Sequence, residues 1–365
     1  MDSMEKQPSL LGALSARDIA WVLVSIVLGF TVLAVSNIIY NLYLHPLAKY
    51  PGPAYACATS LSYWAIALTG DVVPWIQSIH TQYGPAVRIG PDKLSYISAE
   101  AWRDIYAPAS GARRSNPKDR THYVEEKYGI LAVRDDAAHA RLRRIFAPAF
   151  ADRSIRRQEP MVARYADRLV AAVRRDAEAA AGGELDLCKL WTCATFDVMG
   201  QLTFGEPLGL LDRSEYTPWV KTVFGWNKAI DLARLQLEYP LLGLLAKYLT
   251  PRSLREMERS HAKHSSDRVD RRLELGSDEP DIWNLVLGAG TGYENDKKDV
   301  LQPFSIGPRN CIGQNLAYYE MRIFLAKVLW NFDIKLCPQS KDWLNQKSFA
   351  LWQKPPLWVK VTPAQ

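Results

Sequence analysis

The residues best suited to chemistry lie in Pro303-Phe304-Ser305-Ile306-Gly307-Pro308-Arg309-Asn310-Cys311-Ile312-Gly313, where one cysteine stands between two glycines with an arginine two positions before it. After Gly313 the apolar residues fall at helical spacing, with Leu316, Tyr319 and Ile323 on one face and Ala317, Phe324, Val328 and Trp330 beside it. Cys311 is therefore predicted to stand at the mouth of a helix. A thiolate in such a position is stabilised by the partial positive charge and free N–H groups of the helix N-terminus, which suits it to ligating a metal. Gly307 permits a tight turn, and Gly313 lets the backbone approach a flat partner closely. Arg309 is placed to hold an acidic group on that partner, and Phe304 to shield the sulfur from water and help set its electronics. Taken alone, such a cysteine is more often a buried structural residue in a Gly/Pro turn before a helix.

A second constellation lies in Asp136-Ala-Ala-His139-Ala-Arg141-Leu-Arg143-Arg144-Ile-Phe-Ala-Pro-Ala-Phe150. His139 and Arg143 are four apart and share a helix face. Charge-assisted hydrogen bonds from that pair suit a carboxylate-bearing cofactor. The ordinary alternative is a solvated basic helix face.

The chain of 365 residues is long enough for one large domain with appendages. Its formal charge of +6 is spread along the sequence, which gives nucleic-acid binding little support and fits a membrane surface or an acidic electron donor. Five cysteines with no paired spacing argue against a disulfide framework or a zinc site. After an N-terminal segment, 1–18, the stretch 19–44 carries no charge and is long enough to cross a bilayer as a helix, with Tyr40 and Tyr43 nearing an interface. Residues 45–53, with Pro46, Pro51 and Pro53, stop that helix and stiffen its exit.

Beyond residue 54 the pattern predicts a hairpin over 83–97, a helix over 99–106, an aperiodic loop to Lys127 and helices over 161–181 and 194–204. Aromatic-rich helices follow to Leu249, then a charged helix over 252–272. Phe332 to Leu336 and Leu351 to Val361 read as edge strands. Between the charged helix and these strands, Asp281 to Leu287 runs into Gly288-Ala-Gly290-Thr291-Gly292 and almost directly into the cysteine loop. The Gly-x-Gly-x-Gly spacing lacks the strand and helix context of a nucleotide loop. Glu100/Arg103 and Glu256/Arg259 read as ordinary i,i+3 helix pairs.

The motif Phe304-x-x-Gly307-x-Arg309-x-Cys311-x-Gly313 resembles, position by position, the haem-binding loop of the cytochrome P-450 (haem-thiolate monooxygenase) family. The resemblance extends over nearly the whole chain and has a fungal, microsomal character in the proline stretch and in Asn310-Cys311-Ile312-Gly313. It implies a mainly α fold with a small β portion, a transmembrane anchor at 19–44, a proline-rich hinge at 45–53 and a haem domain over 54–365. It also implies that Cys311 is the axial ligand of the iron of haem b, with Arg309, Arg143 and His139 near the propionates; His139 stands where tryptophan is commoner. Around 288–292 the family pattern is broken as if by an internal deletion, and the acid–alcohol pair expected to deliver protons is absent, so no catalytic residue is assigned. The implied activity is insertion of one oxygen atom from O2 into a hydrophobic small molecule, with electrons from an NADPH-dependent flavoprotein reductase. The setting expected is the endoplasmic reticulum membrane, with a cytosolic haem domain that tailors a polyketide or terpenoid secondary metabolite. The alternative is a non-catalytic remnant, either a haem-binding pseudoenzyme or a membrane-tethered protein.

Overall fold

A capping box starts the first helix, α1 (Ala16–Ile39): the Ser15 hydroxyl accepts from the Asp18 N–H while the Asp18 carboxylate accepts from the Ser15 N–H. Beyond Asp18 no charge interrupts it, and the side chains over 17–39 are exposed. It runs into a π-helical turn over Tyr40–Leu44, and the stretch Arg17–Leu44 is long and apolar enough to cross a membrane. The computed structural model describes residues 15–108, 116–119, 129–241, 263, 267–268, 270–271, 303–349 and 351–364. Outside these lie most of the aperiodic loop to Lys127, residues 242–262 with Glu256 and Arg259, and the break at 281–300.

The chain forms two compact units, residues 1–66 with 72–97 and residues 67–71 with 98–365. In the first, α1 is followed by α2 (Ala54–Ala58), α3 (Ser60–Thr69, whose last residues belong to the second unit) and α4 (Val72–Tyr83). Strands β1 (Ala86–Gly90) and β2 (Lys93–Tyr96) pair antiparallel around Pro91-Asp92, as the hairpin reading expects. Ile79 of α4 packs on Val87 and Ile89 of β1 in a small core of its own.

The second unit carries the larger core. Helix α5 (Ala99–Tyr106) has the expected bounds, and its Glu100–Arg103 pair is an exposed i,i+3 contact at 3.7 Å. Helix α6 (Asp136–Phe146) begins at Asp135, whose carboxylate accepts from the Ala138 N–H. Helix α7 (Asp152–Ala179) starts nine residues before the expected 161 and carries Pro160 inside it. Proline leaves one turn without its N–H donor, yet the apolar face made by Ile155, Val162, Leu169 and Val173 continues through it and keeps the segment helical.

Strand β3 (Glu184–Asp186) leads into α8 (Leu187–Phe204), which also starts earlier than expected and is closed by Gly205 at φ 71°. Asp197, buried in α8, accepts 3.0 Å hydrogen bonds from the N–H groups of Leu210 and Leu211 and so starts α9 (Leu210–Arg213). Helix α10 (Pro218–Glu238) has Thr217 as its cap and proline at its first position.

Helix α11 (Gln314–Asn331) buries Leu316, Glu320, Phe324 and Val328, every fourth residue, as one ridge. It lies parallel to α7, with Asn315 on Asp152, Tyr319 on Glu159 and Lys327 on Asp167. Burying Phe324 and Val328 fully contributes roughly 1.5–3 kcal/mol each. Strand β4 (Phe332–Leu336) follows, then β5 (Lys347–Ser348), β6 (Trp352–Gln353) and β7 (Trp358–Pro363). The strand order β3-β7-β4, antiparallel throughout, agrees with the edge-strand reading for β4 and corrects it for β7. Within this sheet β4 and β3 are the edges, and β5 pairs β6 separately. β7 is central because Val359 and Val361 face the core while β3, too short to announce itself in sequence, pairs its free side.

Glu320 interrupts the apolar ridge of α11: it is 8% exposed, and one carboxyl oxygen has no hydrogen-bond partner among the described residues. Gln158 of α7 is 1% exposed, and neither end of its amide is partnered there. The Glu159–Tyr319 bond puts these two orphaned groups, each next in sequence to one of that pair, at the same level of the α7–α11 interface. Burial pushes the Glu320 carboxyl up from its ordinary 4.5 to about 7. Below pH 4.5 the acid is neutral whether the chain is folded or not; as pH rises to about 7 only the unfolded chain gives up the proton. Stability is therefore expected to fall across that window, by on the order of 3 kcal/mol, and then level off. Urea unfolding at pH 5 and pH 8 checks this, with Glu320→Gln expected to remove this group's share of the slope.

Candidate functional site

The cysteine loop is fixed from both ends before it reaches Cys311. Gly307 sits at φ 77° at the start of a short 3-10 turn, Gly307–Arg309, and a Cβ there would lie 2.0 Å from the backbone oxygen of Tyr106 at the end of α5. The Cys311 N–H donates to the Phe304 carbonyl at 2.8 Å, closing the loop on itself. Ile312 and Gly313 then turn the chain into α11. Cys311 precedes the helix by three residues and is an exposed free thiol; the other four cysteines are also unpaired, but none of them is exposed.

Two arginines exchange partners across this loop. Arg143 of α6 donates to the backbone oxygen of Asn310 at 2.6 Å and to its side-chain oxygen at 2.5 Å. Arg309 of the loop donates to the carbonyls of Val133 and Arg134 at 2.7 and 2.9 Å and to Asp136 at 2.7 Å. Each guanidinium thus ties one chemistry-bearing segment to the other. The sequence reading gave Arg309 an acidic group on a bound partner; here a carboxylate of the chain itself, Asp136, takes that place. Burial pushes the Arg143 guanidinium down from its ordinary value, and the neighbouring Cys311 opposes that shift.

His139 lies on the same helix as Arg143, as expected, but it is buried. Burial together with Arg309, Lys118 and Arg143 lowers its imidazole to about 4, so it is neutral at physiological pH. That differs from the charge-assisted donor its spacing to Arg143 suggests, since a neutral ring donates one ordinary hydrogen bond. The Phe304 ring packs edge-on against Tyr318 of α11 at 5.0 Å. A Cβ on Gly313 would stand 3.7 Å from the Phe150 ring and 4.0 Å from the Cys311 sulfur, so the glycine keeps the flank of the thiol low. Asn310, Asp136 and Lys118 are site residues that the sequence reading passed over. Only Asp136, at a helix start beside Asp135, carried a local signal.

The profile of the family described as Cytochrome P450 matches residues 72–269 and 289–361. The chain belongs to the cytochrome P450 family. Among curated relatives, this P450 is 34% identical to Cytochrome P450 monooxygenase FUM2 of Gibberella moniliformis, over 89% of this chain and 100% of that one. It is 29% identical to Cytochrome P450 monooxygenase AMT3 of Alternaria alternata, over 88% and 95%, and 27% identical to Averantin hydroxylase of Dothistroma septosporum, over 94% and 92%. Membership carries the oxidoreductase class and a haem iron cofactor with it. The FUM2 alignment has 469 positions against 365 residues in this P450, so at least 104 of them have no residue here.

The residues fit a thiolate-ligated flat cofactor at the sulfur: Cys311 is free and exposed, with glycine rather than a side chain beside it. Toward acidic groups the fit is conditional, since Arg143 and Arg309 already hold protein acceptors that a carboxylate would have to displace or share.

Gly307→Ala is expected to destabilise the second unit by on the order of 2–4 kcal/mol, because it adds both left-handed strain and a clash with the Tyr106 carbonyl. Thermal unfolding measures the loss, and Gly182→Ala, in the same unit at φ 78° but with open space around it, isolates the strain alone.

Proposed function

We propose that this P450 is a single-pass membrane monooxygenase that inserts one oxygen atom from O2 into a hydrophobic small molecule, with Cys311 as the axial ligand of haem b iron. The observation that carries the reading is the free, exposed thiol at the end of a loop fastened by Gly307, Arg143 and Arg309. Haem iron held there supplies the dioxygen chemistry of the family. The chain's own share is narrower: Cys311 donates the thiolate, Gly313 keeps its flank open, Phe304 and Tyr318 pack beside the loop, and Arg143 and Arg309 fix the loop and meet the cofactor's carboxylates. His139, neutral and buried, supports that helix face as an uncharged group.

Electrons are assigned to an NADPH-dependent flavoprotein reductase, and the setting to fungal secondary metabolism; the relatives are named as monooxygenases and a hydroxylase. The name Averantin hydroxylase, borne by one relative, supports oxygen insertion as a reaction class. We assign α1 with its π-turn to a membrane anchor in the endoplasmic reticulum and residues 54–365 to a cytosolic haem domain. A second reading, a non-catalytic remnant that retains the anchor with or without haem, is favoured by the 104 or more alignment positions that have no residue here.

Reduction of the purified chain under carbon monoxide tests the ligand. A thiolate-type Soret shift that disappears in Cys311→Ala is expected; a shift that survives the substitution sinks the assignment. Substrate turnover with reductase separates the two readings, since the remnant gives none. Removal of residues 1–44 is expected to release the protein from membrane pellets.

A further inference from the structure

Arg88 is 1% exposed, yet every acceptor of its guanidinium hydrogen bonds given by the structure is a backbone carbonyl. Nε donates to Gly90 at 3.2 Å and Pro91 at 3.1 Å, Nη2 to Pro91 at 2.5 Å, and Nη1 to Asn41 at 2.8 Å. The first three close the β-hairpin turn. The fourth reaches 47 residues back to the end of the apolar helix.

The Asn41 carbonyl needs such a donor for a reason written in the sequence. In an α-helix it would accept from the N–H of His45, but in the π-helical turn that N–H goes to Tyr40 at 2.8 Å. The next residue, which would serve Asn41 in the π pattern, is Pro46 and has no N–H. A buried carbonyl is thereby orphaned at the foot of α1, and the Arg88 side chain fills it.

Other bonds converge on the same place. The Asn41 side-chain nitrogen donates to Asn37 at 2.7 Å and to the Ala58 carbonyl at 2.9 Å. The Arg88 N–H donates to Pro51 at 2.8 Å, and a Cβ on Gly52 would lie 2.2 Å from the Arg88 carbonyl oxygen. Residues 45–53 are thus strapped to β1, not suspended between two bodies.

We propose that Arg88 welds the foot of the apolar helix to the β1–β2 hairpin, so that helix, proline stretch and hairpin tilt as one body and the proline stretch is not a hinge within this unit. Its consequence at a bilayer rests on the reading of α1 as the anchor, whereas the joint itself does not.

The test uses the full chain in lipid nanodiscs and in detergent, with spin labels on bioorthogonal residues at Ser36 and Gln82, both exposed. The wild-type chain should give one narrow distance distribution in both media; a broad or two-peaked one overturns the proposal, whatever the variants do. Arg88→Met should broaden it about two-fold or more, as expected when a local hydrogen-bond network opens. Arg88→Lys, which has no planar fork to serve the turn and Asn41 together, should broaden it as well. A folded Arg88→Met chain with wild-type width also overturns the joint. Flotation of the wild-type chain with vesicles reports separately on the anchor, so loss of that reading is distinguishable from loss of this one.

Discussion

Two guanidinium groups reaching in opposite directions hold the candidate site together. Arg143 leaves α6 for the cysteine loop and takes both oxygens of Asn310; Arg309 leaves the loop for the chain entering α6 and takes two carbonyls and Asp136. The partners are 167 to 176 residues apart in sequence, so neither segment can define the geometry alone. The position of Cys311 follows from this exchange and from the steric stop at Gly307, where only a residue without Cβ can pass the Tyr106 carbonyl. The α7–α11 ridge supplies the rigid floor beneath.

That arrangement shapes what the site can do. An incoming carboxylate meets arginines with partners already in place, so binding exchanges hydrogen bonds and does not simply add them. The net gain is then smaller than the number of arginines suggests. His139 adds no positive charge, because three cations and burial keep it neutral.

Much of this was legible in the residue order. The spacing Phe304, Gly307, Arg309, Cys311, Gly313 marked the loop, and the apolar residues after Gly313 marked α11, because a turn glycine and a helical stripe are local signals. The uncharged run before Leu44 and the hairpin at 86–96 were equally local. What stayed hidden depends on distant partners. Arg309 bonds carbonyls some 175 residues away, and every residue carries a carbonyl, so side-chain identity could not reveal them. Pro160 concealed the first turns of α7 because local propensity stops a helix where tertiary burial carries it through. The three residues of β3 are below the length at which alternation can be seen, and their pairing with β7 is what makes them a strand. The fastening of the proline stretch stayed hidden because the carbonyl that Pro46 orphans, and the arginine that fills it, lie on different elements.

The central position of β7 has a bearing on how the protein is made. The Leu357 N–H, just before β7, bonds the Asp186 side chain across 171 residues, and β7 then pairs β3 on one side and β4 on the other. During synthesis β3 therefore leaves the ribosome with an open edge and waits for a partner that has not been translated. Meanwhile α1 is already outside and free to enter a bilayer. Long-range pairing of this kind is slow and leaves an unpaired strand edge exposed. A helix long and apolar enough to cross a bilayer is thus complete well before the sheet of the second unit can close.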